Sequence, residues 1–500
     1  MNFEKVKQSL LINYNLALIL VSILFLLGLF FRLQSISHEA SYWNDESHVA
    51  VYGRAITDTG KAIDPTGYST GIYQVALYYL TALSFFIFGI TEFAGRLPSA
   101  LTGALLIPFI YFVTKKLIGY REGVVASFLM TFSQMQLAWS TQLRPYIYME
   151  LFTLLVIFLV YKYLDNKSIL NKFTILAFFI SLISLLFHGT GIYNVVILGS
   201  AFLYTIIKFK KWRYIAVLII ASLLTLYLIS LTPFFNSNFL LKFNTYFVHY
   251  RVFLTHNYLW LITGSLIGII YLYLKQKREL AFLLGLSVAF IILFSLLKVH
   301  DRYVRYSITA FPLLYILFSI GVVGIFKEVF KQKISFLKKI LLSLIVIFLG
   351  FYLPIKDEKI ILTPRKYYSL NADMRENPIV NYKSAFSKIH TLIQGKEKTI
   401  FIGDAWYDRI LWYLPYVENY YWLMVSDSKD KRFINKLSYF QEIKSQYPSG
   451  IVIVENWESM TPPELQEHIR KNLKYEFTQG TVPGNEKDPW SISVYSWGLD

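Results

Sequence analysis

The chain has 500 residues and no cysteine. That excludes a thiol nucleophile, a thiolate metal site and any disulfide. Charge is scarce as well. Asp, Glu, Lys and Arg make up 16% of the residues, against about 25% in an ordinary soluble domain. Apolar residues reach 55% and aromatics 18%. A soluble fold would lack the polar surface to cover itself, and disorder is excluded by the same balance. Acidic residues are the scarcer sign, 32 against 49 basic, for a net charge of +17. Such an excess alone would point to nucleic acid. With this apolar content it points to a membrane instead, and no nucleic-acid partner is expected.

What is present is a series of long apolar runs. Eleven are long enough to be spans: 10–31, 95–114, 123–141, 146–164, 173–187, 190–207, 213–232, 258–274, 280–297, 306–326 and 338–354. The first is too long for a signal-peptide core and lacks a small-residue cleavage site, so it reads as a retained span. With the N-terminus inside, 20 of the 30 basic residues before 355 fall on inner segments. The positive-inside rule then holds at every inner linker. A further run, Ile72–Ile90, would invert every later linker if it crossed. It is expected as a juxtamembrane or re-entrant helix on the outer side, with an extra span as the alternative.

After residue 354 the pattern changes. Residues 355–500 carry 19 basic and 19 acidic residues and short apolar runs. Strands are expected at 399–403, 420–425, 450–454 and 491–497, alternating with helices at 404–414, 430–446 and 462–475. The expected fold is therefore a polytopic α-helical membrane domain, 1–354, with an outer loop 32–95, and a C-terminal soluble α/β domain, 355–500, outside the membrane.

Three clusters carry candidate chemistry. The first opens the outer loop: Trp43, Asn44, Asp45, Glu46, Ser47 and His48. Adjacent carboxylates beside a membrane surface could act as a general base or ligate a divalent cation. They could equally form the acidic first turn of a helix starting near Glu46, with Asn44 or Asp45 as its cap. Arg54, on that helix, either contacts a lipid phosphate or reaches for headgroups. The second cluster is Ser140–Tyr148, where Arg144 and Tyr146 stand at the junction of two spans. An arginine there suits paired hydrogen bonds to a phosphate. Glu150, inside the next span, needs a partner, and Arg144 is the candidate. The third is Lys298–Tyr306, with Arg302 and Arg305 on an outer boundary that otherwise holds few charges. It reads as an anion site or as interfacial anchoring. His188, His249 and His256 are scattered outer histidines without metal-ligand spacing. The GDAWYD stretch at 403–408 is neither a dinucleotide fingerprint nor a Walker A loop.

The order of these features resembles a family. One span is followed by Asp45-Glu46, then GITEFAGRLPSAL at 89–101, then Tyr111 with Lys115-Lys116, then Ser140, Arg144 and Tyr146. This resembles the GT-C membrane glycosyltransferases, in the glycosyltransferase family 39 branch of protein O-mannosyltransferases and aminoarabinose transferases. The match is best over residues 40–165. The resemblance implies a polyprenyl-phosphate sugar donor, a glycan, lipid or protein acceptor on the outer face, and inversion at the anomeric carbon. It implies Asp45 as the base, with Glu46 beside it. Arg144, Arg302, Arg305 and Arg54 are the candidates for the donor phosphate, and Trp43, His48, Tyr73, Tyr146 and His188 for other substrate contacts. In one respect the chain departs from the family. Where members often carry a basic residue and two prolines, it has Tyr73-Gln74-Val75. The usual basic contact is absent, and metal dependence stays undecided. A bacterial inner membrane is the expected location. The other readings are a lipid-linked glycan flippase or transporter, for which no repeated halves are visible, and a non-catalytic assembly subunit.

Overall fold

The computed structural model describes the chain apart from residues 1–2, 38–40, 73, 165–169, 231–246, 299–303, 332–334, 336–339, 342–343, 345–380, 396–397, 405–407, 415–419, 425–430, 457–458, 481–490 and 500. It forms two compact units. The helical unit comprises Met1–Ser37, Ser69–Leu80 and Arg96–Pro364; the mixed unit comprises His38–Tyr68, Thr81–Gly95 and Arg365–Asp500. The later division between the units falls at Pro364. Much of the outer loop belongs with the C-terminal part.

The helices up to the middle of the chain are α1 (Phe3–Ser37), α2 (Asn44–Thr59), α3 (Val75–Phe88), α4 (Glu92–Leu117), α5 (Tyr120–Phe132), α6 (Gln134–Ser140), α7 (Tyr146–Leu164), α8 (Lys172–Phe187) and α9 (Ile192–Lys208). Then come α10 (Ile215–Ser230), α11 (Phe247–Leu274), α12 (Arg278–Lys298) and α13 (Phe311–Lys331). Among the described residues, seven helical stretches are long and apolar enough to cross a membrane, and three apolar helices are shorter. The chain is an integral membrane protein.

Helix α3 covers the ambiguous 72–90 run. Its 14 residues rise about 21 Å, short of the roughly 30 Å of hydrocarbon. The run expected as one span at 123–141 is two helices, because Ser133 takes an extended conformation (φ −60°, ψ 129°). Tyr315 Oη donates to Ser133 Oγ at 2.8 Å and holds that break. Helix α11 begins earlier than its apolar run and kinks at Tyr258. The expected span 338–354 lies largely outside the described residues.

Lipid supplies no hydrophobic drive between helices, so close packing must do the work. Helices α11 and α13 achieve it with glycine. A Cβ on Gly268 would stand 2.0 Å from the Leu317 carbonyl oxygen, and one on Gly321 2.5 Å from that of Gly264.

The basic linkers meet at one end of this bundle. Lys208 pairs with Glu279, Lys275 with Glu328 at 2.9 Å and Lys327 with Glu122 at 2.6 Å. Lys277 Nζ donates to the Leu117 carbonyl at 3.4 Å. At the other end, Tyr193 Oη bonds Ser295 Oγ at 3.1 Å.

In the mixed unit a six-stranded sheet has the order β3-β2-β1-β4-β6-β5. Its strands are β1 (Thr399–Asp404), β2 (Tyr420–Leu423), β3 (Phe433–Ile434), β4 (Ser449–Glu455), β5 (Lys474–Gln479) and β6 (Ile492–Trp497). β1 pairs in parallel with β2 and β4, and β2 with β3. β6 runs antiparallel to β4 and β5. Strands β1 and β4 are buried throughout, as expected for central parallel strands covered on both faces. The helices are α14 (Tyr382–Ile393), α15 (Asp408–Tyr413), α16 (Leu437–Gln446) and α17 (Pro463–Asn472). Phe440 and Ile443 of α16 and Leu465 and Ile469 of α17 pack with Ile400, Ile402, Val452 and Val454 in one core. β5 was not expected from the sequence; its residues run on from the helical pattern of α17.

Candidate active site

In the helical unit, three helix junctions converge on Tyr146. The first is the turn 141–145. Helix α6 stops at Ser140, whose Oγ bonds back to the Gln136 carbonyl. Pro145 then precedes α7, where its fixed φ suits a helix start. Arg144 Nη2 donates to Tyr146 Oη at 3.3 Å, and its Cζ lies 5.5 Å from the Tyr146 ring centre. The second junction is His188. Its extended backbone (φ −167°) ends α8, and its Nδ1 accepts the Thr190 N–H at 3.2 Å. Gly191 completes the turn, since a Cβ there would press on the Ser184 and Leu185 backbone at 2.6 Å. The His188 ring meets the Tyr146 ring edge-on at 5.4 Å.

The third junction is the 3-10 stretch Val304–Ala310 ahead of α13. Arg305 Cζ lies 5.9 Å from the Tyr146 ring centre. Tyr306 contacts both Tyr146 and His188 at 5.9 Å. Trp139 closes the other edge of Tyr146 at 5.0 Å. The side chains are largely out of water: Tyr146 is 1% exposed, His188 2%, Arg144 6% and Arg305 8%. Two buried guanidiniums therefore lie close to one aromatic ring. Ring faces attract such cations, and their planar forks suit a phosphate. Four residues expected from three separate sequence segments are brought together here.

Glu150 has a different partner from the one expected. Gln136 Nε2 donates to Glu150 Oε1 at 2.8 Å, and its electrostatic counterpart is Arg32 rather than Arg144. The fully buried Arg32 donates to the Gly28 and Met130 carbonyls at 3.0 and 3.2 Å. Gly103 makes the room, because a Cβ there would lie 2.8 Å from Arg32 Nε. A single arginine at the end of an apolar run gave no sequence signal for this network. Tyr306 and Trp139 were similarly hidden among the chain's many aromatics.

In the mixed unit, α2 carries the other candidates. It begins at Asn44 with Trp43 as its N-terminal cap, earlier than expected. Glu46 is buried, and its Oε2 accepts the Trp43 N–H at 3.1 Å. It acts as the return half of a capping box. Asp45, beside it, is half-buried. Trp43 stacks on Tyr382 with ring centres 6.3 Å apart. His48 Nδ1 lies 3.2 Å from Asp408 Oδ2 and against the Tyr52 ring. Arg54 Nη1 donates to the Trp412 carbonyl at 3.0 Å, and the guanidinium covers the Trp412 ring at 4.1 Å. Tyr413 Oη accepts the Tyr42 N–H at 2.9 Å. The segment of helix α15 thus holds α2 at His48 and at Arg54. Arg302 and Tyr73 lie outside the described residues.

A divalent cation would need several hard ligands. Among the described residues no three His, Asp or Glu side chains gather. His48 with Asp408 supplies two donors and Glu46 is taken by the cap, so these residues do not make a cation site.

The chain has the fold of the GT-C membrane glycosyltransferases, and residues 75–234 match the family described as dolichyl-phosphate-mannose-protein mannosyltransferase. The particular structures it resembles include ArnT from Cupriavidus metallidurans bound to undecaprenyl phosphate. There the TM-score is 0.59 at 13% identity, over 96% of this chain and 97% of that one. They also include the oligosaccharyltransferase AglB from Archaeoglobus fulgidus in complex with an inhibitory peptide and a dolichol-phosphate. There the TM-score is 0.59 at 12% identity, over 97% of this chain and 76% of that one. No curated protein sequence matches the chain.

Proposed function

We propose that the chain transfers a sugar from a polyprenyl-phosphate donor to a hydroxyl of a glycan, lipid or protein acceptor at the outer face of a bacterial inner membrane. The N-terminus is cytoplasmic and the mixed unit extracytoplasmic. The observation that carries the reading is the pair of buried guanidiniums, Arg144 and Arg305, both within 6 Å of the Tyr146 ring centre, at the end of the bundle away from the basic linkers. Arg302, in the same basic run, is a further candidate for that phosphate.

The transfer is a single displacement with inversion. The acceptor oxygen attacks the anomeric carbon, and the bond from that carbon to the phosphate oxygen breaks. The electron pair leaves with the polyprenyl phosphate, whose growing charge Arg144 and Arg305 stabilise in a water-poor setting. Asp45 takes the acceptor proton. Its place in the first turn of α2 suits a negative charge, and Glu46 fixes that turn. Tyr146 and His188 are proposed contacts for the donor phosphate, and Trp43 and His48 are further proposed substrate contacts.

The test is the full chain in vesicles with a radiolabelled polyprenyl-phosphate sugar and a mixed acceptor extract. Labelled sugar should leave the lipid. Asp45→Asn should cut turnover by about 10²–10⁴ without changing donor binding, and Arg305→Gln should weaken donor binding. Unchanged turnover in Asp45→Asn removes it as the base. Intact donor that moves across the bilayer makes the chain a transporter, and neither release nor movement makes it an assembly subunit.

A further inference from the structure

At the basic end of the bundle a groove of about 80 Å³ lies between α9 and α12, with Leu164 of α7 at its edge. Ile197, Ala201, Leu283, Leu286 and Phe290 form its apolar walls. It follows α12 from Glu279 to Phe290, about 16 Å at the helical rise of 1.5 Å per residue. That is the depth of one leaflet, half of the roughly 30 Å hydrocarbon core. Leu286 and Phe282 on its lip are 42% and 52% exposed, facing the position of lipid in a membrane-spanning bundle.

The mouth is polar and its surroundings are cationic. Tyr204 Oη donates to Glu279 Oε1 at 3.3 Å, and Lys208 pairs with the same carboxylate. The two linkers that meet there carry Lys208, Lys210, Lys211 and Arg213 on one side and Lys275, Lys277 and Arg278 on the other, against Glu279 and Glu328. Both linkers leave their helix through a left-handed residue other than glycine, Lys210 (φ 53°) and Gln276 (φ 60°), with the next N–H bonding back to the Ile206 and Leu272 carbonyls as a helix C-terminal cap does.

We propose that this groove holds one acyl chain of an anionic diacyl phospholipid, with the phosphate set among the basic linkers. A hydrocarbon slot one leaflet deep under a cationic rim matches such a lipid in both parts. The site lies at the opposite end of the bundle from Arg144 and Arg305 and is independent of the transfer reaction.

The experiment is native mass spectrometry of the full chain, stripped in detergent and titrated with phosphatidylglycerol or phosphatidylcholine of identical chains. Phosphatidylglycerol should be retained at least about ten-fold more tightly. Leu286→Trp, which fills the slot from its lip, should abolish that retention, and Lys210→Gln/Lys211→Gln/Arg213→Gln should erase the headgroup preference. Equal retention of the two lipids overturns the proposal. So does undiminished retention in Leu286→Trp, or displacement of the phospholipid by undecaprenyl phosphate, which would make the groove a donor-chain site.

Discussion

Arg409 and Glu455 form an ion pair with side chains 5% and 3% exposed. Arg409 also lies over the Tyr382 ring at 4.3 Å, on which Trp43 stacks. The pair therefore ties α15 to the end of β4 and supports the cap of α2, next to Asp45. Arg409→Met removes the cation and keeps much of the volume. Glu455 is then left charged and uncompensated in a dry site, at a cost of about 3–5 kcal/mol. The mixed unit has roughly 180 residues. At about 2–4 °C per kcal/mol for that size, its unfolding midpoint should fall by about 6–20 °C. Removing both charges, Arg409→Met with Glu455→Met, should recover most of the loss, because a buried pair gains little over apolar packing. The assay is thermal unfolding of the purified full chain, with proteolysis inside 381–499 as the readout of this unit. If the double variant melts as low as Arg409→Met, the loss was one of packing and the electrostatic argument fails.

Three further outcomes follow from other contacts. Glu46→Ala deletes the acceptor for the Trp43 N–H and should cost about 1 kcal/mol, seen as faster hydrogen exchange in the first turn of α2; Glu46→Gln, which keeps an acceptor, should not. Gly268→Ala places a methyl on the Leu317 carbonyl and should cost about 1–3 kcal/mol of stability, read as a lower melting point in detergent. Gly199→Ala, whose methyl would meet only Leu218 at 3.9 Å, serves as the tolerant control. In β2, burial and the neighbouring Tyr447 hydroxyl push the Tyr421 phenol up to about 12. A raised folded value stabilises fully below the unfolded value of 10.0 and is lost as pH rises through the folded one. Wild type should therefore lose stability relative to Tyr421→Phe between those two values, measured by unfolding at stepped pH; parallel curves would contradict the shift.

Composition and charge placement were enough to make this an integral membrane protein, because hydrocarbon demands long apolar helices and the linker charges must fall on consistent sides. Helices α4, α7 to α10, α12 and α13 appear close to their apolar runs for that reason, and β1, β2 and β4 were visible because buried parallel strands leave compact runs such as GIVIV. Arg144, Tyr146, His188 and Arg305 stood out because polar residues are rare at span ends. Their convergence on one tyrosine did not, since it depends on how α6, α8 and α13 terminate and pack. The same holds for Glu150, which finds Gln136 and Arg32 rather than the nearby Arg144. It holds for Glu46, whose carboxylate turns back to the Trp43 backbone, and for Arg54, which lies on Trp412 some 358 positions away along the chain. Chain spacing limits which side chains can approach one another within a single element. Between elements the choice falls to packing, which brings together residues far apart in sequence and commits their polar groups wherever water is excluded.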